Sequence, residues 1–175
     1  MSAARLDADT RPPLLHLVER DAHVLTPAHR RLAERFRLLV VEMGEPQGLA
    51  LALEQQRFDR FNVLATGRAS RDALGLARDM GDRVLALALE SPEAPGDVTP
   101  AAPTLVLLGT RDDSGAPAAG RACAQRIPGA HLVFVYDAGH AISADRPDAF
   151  AEVVADFLER HDAFVISRST TVIHP

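Results

Sequence analysis

Cysteine occurs once in the 175 residues, at Cys123, so the chain cannot close an internal disulfide. The position falls inside an amphipathic helical pattern and outside any metal or redox motif, which reads as a small buried thiol. Clustered positive charge is also missing. The formal net charge is −5 and the arginines are scattered among acids, the pattern of a solvated surface rather than of a nucleic-acid interface. No apolar run approaches the ~18–20 residues needed to cross a bilayer. The polar leader Met1–Arg11 lacks the apolar centre of a signal peptide, which makes the cytoplasm the expected location. Internal repeats are absent, and low complexity is confined to one proline-rich linker.

What is present is an ordinary globular composition, 47% hydrophobic, in a length suited to one domain with a sizeable core. Residues 1–11 read as a flexible leader, 12–162 as the domain and 163–175 as a tail. Pro12–Val18 is a short buried strand. Thr26-Pro27 opens a helix, with a capping hydroxyl followed by a proline that needs no N–H in the first turn, and Leu32, Ala33 and Phe36 give it an apolar side. Strands follow at Arg37–Val41, Phe61–Thr66, Arg83–Glu90, Thr104–Gly109 and His131–Tyr136. Between them lie helices at 48–58, 68–80 and 116–126. Pro147 sits at the start of a helix in which Phe150, Val153, Val154, Phe157 and Leu158 form a continuous core-facing stripe. Residues 91–103 are too rich in proline for helix or strand and cross the surface between two halves of one sheet. The tail carries two β-prone pieces, 164–166 and 170–173, expected to dock on this domain or on a second copy.

Strands alternating with helices six times predict an α/β three-layer sandwich, a mostly parallel sheet of about six strands with helices on both faces. Ligand chemistry in such sheets gathers at the carboxyl ends of the strands. The residues there are Leu17–Arg20, Glu42–Pro46, Gly67–Ser70, Glu90–Ser91, Thr110–Asp113 and Asp137–Ile142. Asp112 or Asp113 after one strand and His140 after the next can meet as an orienting carboxylate and a general base.

From Pro12 to Arg160 the chain resembles the α/β-hydrolase family. The resemblance is carried by the strand ending in His16, the unit LAERFRLLVVE, the strand–turn–helix FNVLATGRASRDALGLARDMGDRVLALALESP, the segment PTLVLLGTRDD, and VFVYDAGHAISADRPDAFAEVVADFLER. By that match Asp112 is similar to the family's acid, with Asp113 as the alternative, and His140 to its base. The family's nucleophile turn, Gly-x-Ser-x-Gly, falls on Ala65-Thr66-Gly67-Arg68-Ala69. Gly67 therefore stands where the nucleophile would be, and it has no side chain to attack with. Thr66 would point away from that place. Ser70 lies a helical turn later, where capping or packing is the commoner role.

Two other departures follow from the same match. The family has His-Gly after its first shared strand, where the backbone shapes the oxyanion hole; His16-Leu17 here would put the Leu17 side chain into that space. Arg68 holds the place of the other oxyanion donor through its N–H, or could hold an anionic ligand at the helix N-terminus. The chain is short for the family, without room for two leading strands, and the 91–103 linker stands where many members insert a cap, so a large, dry pocket is not expected. The resemblance implies a minimal α/β-hydrolase fold with a degenerate triad, noncatalytic or strongly impaired and acting as a binding or assembly module. The alternative is hydrolysis of small esters or related acyl compounds by a water activated through His140 and Asp112. No cofactor, metal, nucleic acid or membrane is expected; a small-molecule ligand is compatible with the site, and a homo-oligomer through the tail is the alternative to its packing on this domain.

Overall fold

The computed structural model describes residues 9–19, 25–43, 46–94, 96–165 and 172–173. Its strands are β1 (Pro13–Val18), β2 (Arg37–Glu42), β3 (Phe61–Thr66), β4 (Val84–Glu90), β5 (Thr104–Gly109), β6 (His131–Val135) and β7 (Val172–Ile173). They form one sheet in the order β2-β1-β3-β4-β5-β6-β7, parallel throughout. The central strands are mostly apolar and almost entirely buried because helices cover both faces.

The helices are α1 (Pro27–Arg35), α2 (Pro46–Gln55), α3 (Ala69–Met80), α4 (Ala116–Arg126), the short α5 (Ile142–Asp145) and α6 (Pro147–Arg160). Alternation along each strand divides the core in two. Leu14, Leu64, Ala88, Leu107 and Val135 pack with Leu32 of α1 and with Phe150, Val154 and Phe157 of α6. Leu15, Val63, Leu87, Val106 and Leu108 pack with Leu53 of α2, Ala73 and Leu74 of α3, and Cys123 of α4. This is the expected three-layer sandwich. Cys123 is fully buried, and burial pushes its thiol up to about 11.

The start of α1 follows its sequence signal: Pro27 stands in the first turn, and the Thr26 N–H donates to His29 Nδ1 at 3.1 Å. Elsewhere the boundaries move. Helix α2 begins at Pro46, two residues before the expected Gly48, because a proline needs no N–H partner in a first turn. Strand β6 ends at Val135, since Tyr136 and Asp137 already turn and Asp137 takes φ 57°. The expected strand at 164–166 is replaced, in its described part, by irregular chain. There Phe164 is buried and its ring lies 5.3 Å from that of Phe157 and 5.1 Å from that of His131. In the second β-prone piece, Val172–Ile173 pairs with Phe134 and Val135 of β6. Residues 1–8, 166–171 and 174–175 of the expected leader and tail lie outside the described residues.

The connection from β1 to β2 runs through α1 on one face and that from β3 to β4 through α3 on the other. Neighbouring strands β1 and β3 thus send their chains to opposite faces, and a crevice opens between their carboxyl ends. Glu19 follows one strand and Gly67 the other.

Candidate functional site

Gly67 is where β3 must turn into α3 within two residues. It does so at φ 58°, a conformation that costs an L side chain energy and glycine none. The turn is held by the Gly67 N–H donating to Glu90 O at 2.9 Å and by Ser70 N–H donating back to Gly67 O at 3.2 Å. The next residue is the first free donor of the helix end: Arg68 N–H donates to Glu19 Oε1 at 2.9 Å. Its guanidinium is solvent-facing, 75% exposed, and approaches Glu93 at 3.9 Å.

Asp112 and His140 meet because the chain after β5 is stitched to the chain after β6. Thr110 N–H donates to Val135 O at 3.1 Å, Arg111 N–H to Ala138 O at 2.8 Å, and Asp137 N–H to Thr110 Oγ1 at 2.9 Å. Gly109 permits that approach, since a Cβ there would lie 2.1 Å from Gly139 O. Two further bonds fix the histidine's backbone: Gly139 N–H donates to Asp145 Oδ2 at 2.7 Å and Ser91 Oγ to His140 O at 2.7 Å. Ser91, at the end of β4, holds its place at φ 44°, a strained conformation for a residue with a Cβ.

His140 Nδ1 lies 3.0 Å from Asp112 Oδ2, and the Asp112 side chain is 1% exposed against 54% for His140. Burial pushes the Asp112 carboxyl up, but bonds from the Ser114 hydroxyl and N–H and from His140 outweigh it and hold the group below its ordinary value. An ionised Asp112 accepts a hydrogen bond from Nδ1–H, which favours the tautomer that leaves Nε2 of the neutral ring as a base. Asp113, the alternative acid, is exposed and makes no hydrogen bond to His140.

The remaining expected residues separate. Thr66 Oγ1 donates to Glu90 Oε2 at 3.0 Å and so faces the interior. Ser70 is fully buried in the first turn of α3, its hydroxyl without a hydrogen-bond partner among the described residues. Leu17 does not enter the space over Gly67. It is buried in the core and lines a neighbouring cavity of about 570 Å³ with Val41, Met43 and Leu76. The sequence-based expectation for Leu17 is corrected by alternation along β1, which turns it toward the α2–α3 face.

Glu19, Gly67, Arg68, Ser91, Glu93, Ser114 and His140 line one cavity of about 540 Å³. It is a cleft open to solvent rather than an enclosed chamber. Pro92, Glu93 and Ala94, the first part of the proline-rich linker, wall it in the absence of a cap. Among the described residues no group of three or more His, Cys, Asp and Glu side chains is arranged to hold a metal ion, and no helix is long and apolar enough to cross a membrane.

At the end of β4, next to Ser91, lies a buried carboxyl that is part of the strand-end set. Glu90 is fully buried, accepting Thr66 Oγ1–H at 3.0 Å and Ser143 N–H at 2.7 Å. Burial raises its ionisation above the usual carboxylate range, and the bonds from Ser143 and Thr66 oppose this. It ties the Gly67 turn to the first residues of α5. In the unfolded chain the carboxyl loses its proton at the ordinary 4.5. The folded chain keeps that proton to higher pH, so stability falls as pH rises through the interval between. Glu90→Gln keeps the shape and one accepting oxygen for the Ser143 N–H, and its amide NH2 can donate to Thr66 Oγ1 instead of accepting from it, without the charge. Its melting temperature is expected to match or exceed the native one at neutral pH and to lose this decline, as thermal melts from about pH 4.5 to 8 would show. An unchanged decline would assign it to other groups.

The model of the TAP-like protein family matches residues 87–163. That segment holds Glu90, Asp112 and His140 and stops short of Gly67. No curated protein matches the chain. Among solved structures, the chain is similar to the enol-lactonase from Burkholderia xenovorans at 19% identity and TM-score 0.68, over 85% of this chain and 92% of that one. An α/β hydrolase from a lagoon-sediment metagenome has TM-score 0.72 at 13% identity, over 86% of this chain and 92% of that one. An esterase from a Rhodococcus species has TM-score 0.70 at 13% identity, over 85% of this chain and 90% of that one.

Proposed function

The chain is an α/β-hydrolase-fold protein, and from that premise we propose that it binds a small acyl compound over Gly67, has lost serine acyl transfer, and hydrolyses activated esters slowly with His140 as base. One juxtaposition carries this reading: His140, 3.0 Å from Asp112, lines the same cavity as Gly67 at φ 58°. The base is kept and the hydroxyl it would activate is not. A water without the positioning of a tethered nucleophile reacts slowly, because the entropy of bringing it into line is spent at every turnover. The similarity to a lactonase and to esterases supports an acyl compound as the ligand class.

A second reading, a binding module without turnover, is favoured by Glu19, whose carboxylate occupies the Arg68 N–H that would otherwise stabilise a developing oxyanion. A panel of p-nitrophenyl esters, read with the native chain and with His140→Ala, separates the two. Slow release of p-nitrophenol is expected from the native chain, falling about 10²-fold in the variant, the low end of a general base's contribution. Release no faster than in buffer would establish the binding module; release unchanged by the substitution would remove His140 from the chemistry.

A further inference from the structure

Glu19 leaves β1 at the switch point and faces Gly67 across it. Its Oε1 accepts the Arg68 N–H at 2.9 Å and lies 3.1 Å from the place a Cβ on Gly67 would take. The carboxylate therefore stands over the turn, where a side chain at position 67 would begin, and the absence of that side chain leaves it room. Among the described residues no hydrogen bond reaches Oε2. Glu19 and His140 line the same cavity. A carboxylate held at one oxygen by a backbone N–H, with the other unbonded among the described residues, is oriented for attack without being fully neutralised.

We infer that Glu19 is the nucleophile of this site, a residue from another strand in place of the one Gly67 lacks. The inference rests on the reading that the cavity hydrolyses activated acyl compounds. Glu19 Oε2 bonds to the acyl carbon and the carbonyl electron pair moves onto the substrate oxygen. Collapse breaks the bond to the leaving group, which departs as phenolate or thiolate, and leaves a mixed anhydride between the acyl group and Glu19. His140 Nε2 then takes a proton from water as the water oxygen bonds to an anhydride carbonyl carbon. Collapse frees the carboxylic acid and restores the Glu19 carboxylate, and the proton passes from His140 to the leaving group or solvent. One acyl bond and one water are consumed; one acid and one phenol or thiol are formed.

This chemistry selects its substrates. A carboxylate is a weakly basic nucleophile. The tetrahedral adduct goes forward only when the leaving group is itself stabilised, as in electron-poor aryl esters and thioesters. Simple alkyl esters return to starting material.

The test is to quench the full chain during turnover of p-nitrophenyl acetate with hydroxylamine and map its peptides by mass spectrometry. A hydroxamate at Glu19 is expected. It should be absent in Glu19→Gln, which keeps an oxygen for the Arg68 N–H and should therefore melt like the native chain, and it should accumulate in His140→Ala, where the second step is slowed. Glu19→Gln should also lower turnover about 10²-fold. Turnover that depends on His140 but yields no hydroxamate and survives Glu19→Gln would overturn Glu19 as nucleophile and leave the hydrolytic reading standing. No turnover by the native chain would overturn both.

Discussion

Gly67→Ser combined with Glu19→Ala is expected to turn an unreactive chain into one that a fluorophosphonate probe labels at residue 67. The double substitution exchanges one nucleophile for another. A serine at φ 58° carries a left-handed cost of about 1–2 kcal/mol, which the surrounding turn must absorb through the bonds from Gly67 to Glu90 and Ser70. Gly67→Ser alone meets a second obstacle, because its Cβ would lie 3.1 Å from Glu19 Oε1 and the Arg68 N–H would remain occupied. Removing the Glu19 carboxylate frees both the space and the donor. One oxyanion donor is worth about 10²–10³ in rate, so the double variant should label about 10²-fold or more faster than Gly67→Ser. Equal rates would mean that Glu19 does not close the donor. No labelling of either would mean that His140 does not reach residue 67, and labelling of the native chain would reveal another hydroxyl at work.

Gly109→Ala is expected to destabilise the fold and to separate His140 from Asp112 together. The added Cβ would fall 2.1 Å from Gly139 O and 2.3 Å from Ala138 O, backbone atoms that no rotamer change can move aside. The segment after β6 must retreat from the end of β5. The Arg111 N–H to Ala138 O bond at 2.8 Å lies in its path. Overpacking of this kind costs about 1–3 kcal/mol, and each kcal/mol lowers the melting temperature by about 2–4 °C in a chain of this size. Gly75→Ala serves as the contrast. It lies inside α3 with nothing within 4 Å of its Cβ, so it should be neutral or stabilise by up to about 1 kcal/mol through helix propensity. Thermal melts of the two variants decide this, and the ester assay reads the His140–Asp112 pair. A Gly109→Ala chain with native melting and native hydrolysis would show that the β5–β6 stitch does not set the site.

The α/β architecture was legible because each element announces itself locally. The run Val84–Leu89 is apolar without alternation, which only a strand covered on both faces tolerates. The stripe from Phe150 to Leu158 repeats with the helical period, and Pro27 and Pro147 mark helix starts. The order acid, then histidine, on successive strand ends pointed to Asp112 and His140, and the structure brings them to 3.0 Å. What local pattern could not separate was Asp112 from Asp113. Neighbours in sequence differ in direction by the path of the turn, and only the covered one is bonded to Ser114 and His140. Leu17 misled for a related reason: a strand residue's face depends on pairing register, and β1 turns it into the core.

By itself, the sequence determined the alternation of strands and long helices, the burial of the sheet on both faces, two candidate acids and a histidine on successive strand ends, and the absence of a side chain at position 67. The tertiary structure decided what fills that absence. Glu19 and Arg68 are 49 positions apart, as are Ser91 and His140, and Glu90 and Ser143 are 53 apart. None of these pairs leaves a periodic trace along the chain. Parallel packing gathers the carboxyl ends of β1, β3, β4, β5 and β6 on one edge, and the turns leaving them choose which polar atoms meet. Hydrophobic periodicity is a property of one element at a time, whereas a hydrogen bond between strand ends depends on the register of several at once.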